Sequence, residues 1–268
     1  MARIHGYVLA LSSIAALLGG CAHGFSTPSN AAENSSTPAA HQQSADDAVD
    51  QSLKNAASAA ELNHDYKGAI QHLNTLYQRH TGDRDIAIAL ARNLRFSGQA
   101  QTAADVMQSS LSRFTDDPDM LTELGKDYLA VDRVTLAVKY LEKAQTLAPT
   151  RWEPVATLAV AYDTQGYSEM ALDAYKRADS LSPDNPAILN NMGLSQALAG
   201  HLDQALATMN RAADLPNATA QVRQNLALLL ALKGKTAEAA RLTGHDMSTE
   251  QAKSNIEILR ELAAARKQ

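Results

Sequence analysis

The chain has 268 residues, a formal net charge of -5, 45% hydrophobic and 4% aromatic residues, and a single cysteine. One cysteine excludes an intramolecular disulfide and a thiolate metal cluster. The acidic balance, with no run of Lys and Arg along one face, lacks the electrostatic footprint of a nucleic-acid binder.

The first element is a leader. Arg3 is the only Lys, Arg, Asp or Glu before Cys21, and the apolar run Tyr7 to Leu18 follows it, ending in small residues. That order is the n-region, h-region and cleavage end of a secretory signal peptide. A run of this length makes about 18 Å of helix, short of the roughly 30 Å of a hydrocarbon core, so it does not read as a spanning helix. Its end, Leu18-Gly19-Gly20-Cys21, resembles the lipobox of bacterial lipoproteins; the other reading is a Sec signal with an incidental cysteine. In that family the cysteine becomes the mature N-terminus and is acylated on sulfur and nitrogen. More than one acyl chain is what firm anchoring needs. Ala22 follows, and not the aspartate that often holds such proteins at the inner membrane, so the resemblance implies the periplasmic face of the outer membrane.

The leader is therefore expected over residues 1–20, and a lipidated N-terminus with a disordered linker over 21–49. The linker is Ser, Thr, Ala, Asn, Gln and Pro, with too little apolar surface to form a core.

From residue 50 onward the helical period recurs and no long period-two alternation is present, so the body reads as all-α. Ala69, Ala103, Ala137, Ala171, Ala205 and Ala239 are each 34 residues apart. Units beginning at Asp50, Arg84, Pro118, Trp152, Pro186 and Ala220 put these alanines at position 20. Position 7 reads Ala56, Leu90, Leu124, Leu158, Met192, Leu226, and position 8 is always tiny: Ala57, Ala91, Gly125, Ala159, Gly193, Ala227. Position 15 reads His64, Gly98, Asp132, Gly166, Gly200, Gly234, the expected turn between two helices, where φ > 0 is often required. Tyr128 and Tyr162 stand at position 11, and Pro149 and Pro183 at position 32.

This pattern resembles the tetratricopeptide repeat, with the third unit nearest to it through Leu121, Leu124, Gly125, Tyr128, Ala137, Leu141, Ala144 and Pro149. The resemblance implies a right-handed superhelical solenoid of about six helix-turn-helix repeats over residues 50–247. The first unit departs with Ala60 at position 11 and Thr81 at position 32, and Gly244 cuts the last one short. Beyond it, Ser248 and Gln251 form a capping-box signature, and Ile256, Leu259, Leu262 and Ala263 share one face. Residues 248–268 are thus expected to be a capping helix over the last repeat.

Nothing in these residues converges on catalysis. Gly234-Lys235-Thr236 looks like the tail of a phosphate loop, but Leu229 stands where the first glycine is required, so it reads as a helix-helix turn. His64, His72 and His80 are spaced by eight, not by the four of a helical metal pair. HExxH, GxSxG and CxxC are absent. No enzyme activity, cofactor, metal or small-molecule substrate is expected.

The expected role is protein binding on the face lined by the first helix of each unit. Its candidate residues are Arg92, Arg95, Phe96, Thr122, Lys126 and Leu129, then Val160, Asp163, Asn190, Leu194, Leu198, Gln224 and Leu228. Arg92, Arg95 and Lys126 predict a cationic early groove, and Leu194, Leu198 and Leu228 an apolar late one suited to a peptide. No unit pairs Lys at position 5 with Asn at position 9, so the carboxylate clamp of chaperone-binding repeats is not expected.

The closing segment is similar to the end of the TadD-type lipoproteins of the tight-adherence (Flp pilus) system. The run Val222 to Leu228, the A-E-A of Ala237 to Ala239, the start Asp246 to Gln251 and the N-x-x-x-L-R of Asn255 to Arg260 carry that likeness. It implies a pilotin that binds the outer-membrane secretin or another pilus subunit and helps it localise or multimerise. The alternatives in view are an adaptor for a type IV pilus secretin, for outer-membrane protein assembly, or for cell-wall enzymes. If Cys21 is the anchor, Cys21→Ser protein will fractionate as soluble periplasmic or unprocessed material; retention in the outer membrane would refute the lipobox.

Overall fold

The computed structural model describes residues 38–243. The expectations for the leader, Cys21 and the capping helix lie outside these residues. The described residues form twelve α-helices and no strand. They pair in order: α1 (Pro38–Leu62) with α2 (Tyr66–Arg79), α3 (Arg84–Phe96) with α4 (Ala100–Leu111), and α5 (Pro118–Ala130) with α6 (Val134–Leu147). Then α7 (Trp152–Thr164) pairs with α8 (Ser168–Leu181), α9 (Pro186–Leu198) with α10 (Leu202–Ala213), and α11 (Ala220–Leu232) with α12 (Thr236–Thr243). Two units divide them, α1–α6 within residues up to Leu147 and α7–α12 from Ala148 onward, each of three stacked hairpins.

One boundary moves. Residues 38–49, assigned to the linker, are the start of α1. Tertiary pairing gives that segment a partner its composition does not announce. Asp50 is buried, accepts from Arg79 Nε at 2.6 Å and contacts His80, while Asp46 accepts from Arg79 Nη2 at 3.2 Å.

The turn inside every hairpin uses one device. His64, Gly98, Asp132, Gly166, Gly200 and Gly234 all have φ between 56° and 89°. Each ends its helix with a six-to-one hydrogen bond from the next residue: Asp65 N to Ala60 O, Gln99 N to Leu94 O, Arg133 N to Tyr128 O, Tyr167 N to Tyr162 O, His201 N to Gln196 O and Lys235 N to Leu230 O. The left-handed residue closes the orphan carbonyls and reverses the chain. Helix starts are fixed as firmly. Asp83, Asp117, Asn185 and Thr219 each precede a first helix, and their side chains accept backbone N–H groups of its first turn.

Within a hairpin the helices touch where side chains are smallest. Ala69, Ala103, Ala137, Ala171 and Ala205 are wholly buried, as are Ala91, Ala159 and Ala227. Larger side chains four residues on, Leu73, Met107, Leu141, Tyr175 and Met209, fill the remaining space and are buried too. Gly125 shows how tight the fit is: a Cβ there would lie 2.6 Å from Leu141 Cγ. At Gly193 the nearest atom is the mobile end of Met209, Cε, at 3.0 Å.

These two glycines separate close packing from helix propensity. Gly125→Ala is expected to cost about 1–2 kcal/mol, overpacking outweighing the roughly 1 kcal/mol that alanine gains in a helix. Gly193→Ala is expected to be neutral or stabilising by up to about 1 kcal/mol, since Met209 can swing aside. Thermal unfolding of the two variants, followed by circular dichroism, checks the difference; equal shifts would refute it.

Candidate functional site

The candidate residues lie on α3 and α5 in the first unit and on α7, α9 and α11 in the second. The ninth position of these helices holds Arg92 and Lys126 in the first unit and, in the second, Val160, Leu194 and Leu228, which line up along successive first helices. All five are partly exposed, and the three apolar ones also pack against the core of their own unit. Phe96 and Leu129 are partly exposed as well, as is Gln224, whereas Leu198 is 49% exposed.

The structure corrects the cationic early groove. Arg95 is only 9% exposed, donating from Nε to Asp127 at 2.9 Å and from Nη2 to Glu123. Its guanidinium also stands 5.0 Å from the centre of the Phe96 ring. Lys126 Nζ lies 3.3 Å from the other Glu123 oxygen. Burial alone would raise Glu123, but the charges of Lys126, Arg95 and Arg92 outweigh it and hold the carboxyl low. Burial and the adjacent Glu123 push Asp127 upward against the pull of Arg95. Two of the three expected cations are thus occupied by carboxylates of α5, and Arg95 does not line an open surface.

Thr122 and Asn190 are also buried. The Thr122 hydroxyl donates to Pro118 O at 2.6 Å, and Asn190 Oδ1 accepts from Asn225 Nδ2 at 2.8 Å. Asn190 Nδ2 in turn donates to Asn191 at 3.1 Å, and Asn225 accepts from Gln221 at 3.1 Å. These amides tie α9 to α11.

Asp163 differs from both groups. Its carboxylate accepts from Ser195 Oγ on α9 at 2.8 Å and from the buried Tyr175 hydroxyl on α8. Burial raises its pKa to about 6 in spite of those two bonds. A common scheme emerges from the contacts. The twelfth position of one repeat bonds the tenth of the next: Glu61 with Asn93, Arg95 with Asp127, and Asp163 with Ser195.

Sequence reasoning missed Glu123, Asp127, Asn93, Ser195 and Asn225. The signal was a polar residue at positions six and ten of a first helix, where Ala, Thr or Leu stands in other repeats.

A buried arginine and a groove arginine respond differently to removal. Arg95→Met is expected to cost about 3 kcal/mol by stranding buried carboxylates, whereas Arg92→Ala is expected to change stability by less than about 0.5 kcal/mol. Urea unfolding of both checks this; equal effects would return Arg95 to the surface.

Residues 156–185 match the family profile described as Tetratricopeptide repeat. No curated protein matches the chain. Among solved structures, a thermophilic TPR protein of Thermus thermophilus is similar at a TM-score of 0.59 and 22% identity, over 66% of this chain and 98% of that one. A chain of the APC/C hetero-tetramer Cut9-Hcn1 aligns at a TM-score of 0.57 and 15% identity, over 73% of this chain and 36% of that one. MamA from Desulfovibrio magneticus, residue 41 to its end, aligns at 0.50 and 18% identity, over 62% and 94%. The period of 34, the small-residue contacts and the left-handed turns agree with the repeat match over residues 156–185 and with the fold of a solved TPR protein: the described residues have the tetratricopeptide-repeat fold.

Proposed function

We propose that this tetratricopeptide scaffold is an outer-membrane lipoprotein, held at the periplasmic face through Cys21, that serves as a pilotin for the secretin of a tight-adherence pilus. The scaffold role rests on the repeats; the cellular role rests on the sequence at the two ends. The observation that carries it is the closing run from Val222 to Arg260, whose pattern resembles that of the TadD-type lipoproteins. Its first part falls on α11, where Val222, Leu226 and Ala227 are buried, and its A-E-A falls on α12.

The physical requirements of such a role agree with the parts. An acyl anchor keeps the chain at one membrane, a polar linker gives it reach, and an apolar stripe on a helical face suits a peptide segment of a client. Deleting the gene and resolving the secretin on an unboiled gel tests the role. Loss of the high-mass multimer, or its appearance in the inner membrane, is the expected outcome; normal multimers in the outer membrane would overturn the proposal.

A further inference from the structure

In the second unit the described repeats leave one carboxylate without a counter-charge. Asp163 stands one turn after Val160 on α7, hence on the same helix face. Leu194 adjoins its partner Ser195 on α9, and Leu228 continues the apolar stripe on α11. The groups bonded to Asp163 from α8 and α9 are the hydroxyls of Tyr175 and Ser195, and among the described residues no cation pairs with it. The contrast is with Arg95, which occupies the equivalent place in the first unit and has two carboxylates. Desolvating a carboxylate without a cation disfavours its charged form and so opposes folding. Such groups concentrate where a ligand makes use of them.

Resting on the groove reading above, we propose that Asp163 is a specificity determinant for a protein segment that sets a Lys or Arg against it and apolar side chains against Val160, Leu194 and Leu228. The cation supplies the partner the carboxylate lacks, and the leucines bury the flanks of the segment. An acidic residue at the same place is rejected, because two carboxylates would then face one another in a poorly solvated site. Recognition weakens as pH falls through about 6, where Asp163 takes up a proton. Its hydroxyl partners carry no charge across that range.

The test is panning of a random short-peptide library, displayed on phage, against the full chain near neutral pH, followed by binding measurements with the selected peptides. Peptides rich in Lys or Arg among apolar residues are expected, and changing that cation to Gln is expected to weaken binding about tenfold. Asp163→Asn should erase this difference while retaining the apolar part of the affinity and a folded circular dichroism spectrum. Leu194→Glu should abolish binding of the same peptides. If peptides are selected and lost with Leu194→Glu, but show no cation preference or keep it in Asp163→Asn, the role of Asp163 is refuted and the groove stands. If no selected peptide is sensitive to Leu194→Glu, the groove reading falls, and the Asp163 proposal with it.

Discussion

Two helices of a hairpin can lie against each other only where nothing larger than a methyl group stands between their backbones. That constraint is met at the same two places in each repeat, by Ala or Gly on the first helix and Ala on the second. Once the backbones are close, the space beside them is small and fixed, and a single large side chain fills it: Leu73, Met107, Leu141, Tyr175 or Met209. A repeat so thin leaves apolar surface on both outer faces. Stacking against the next repeat removes that surface from water, which is why no single hairpin is a stable unit.

Stacking by apolar contact alone is tolerant of sliding, since leucine and alanine faces offer little direction. The polar contacts between successive first helices are directional. Glu61 with Asn93, Arg95 with Asp127, Asp163 with Ser195 and Asn190 with Asn225 each join one repeat to the next. A buried polar group loses its bond when the register shifts, and that loss is costly. These contacts therefore specify register more than they add net stability.

The two units differ in what their first-helix face offers a partner. In the first, Glu123 and Asp127 draw Arg95 inward, and Glu123 also pairs with Lys126. In the second, apolar residues remain partly exposed around a carboxylate held by hydroxyls. A scaffold for another protein needs some such asymmetry, because a uniform surface would not orient its client.

Much of this was legible in the sequence because it follows from local rules. The alanine series fixed the repeat, the glycine or polar residue at the fifteenth position announced a left-handed backbone, and the left-handed turn was found in place at all six hairpins. The candidate face was legible only in outline. Position along a helix tells which residues share a side, and it placed Val160, Leu194 and Leu228 together. It does not tell which charges on neighbouring helices meet. Arg95 was expected to face outward, and Glu123 and Asp127, well over twenty residues away in sequence, turn it inward. Likewise α1 runs back to Pro38 through residues of linker composition, with Arg79 meeting Asp46 and Asp50 across the first hairpin. The repeat, its turns and its small-residue contacts can be read residue by residue, since they depend on steric size and backbone freedom at single positions. Which polar side chains tie repeats together emerges from the packing of the helices, because a charge's role depends on what approaches it from another helix.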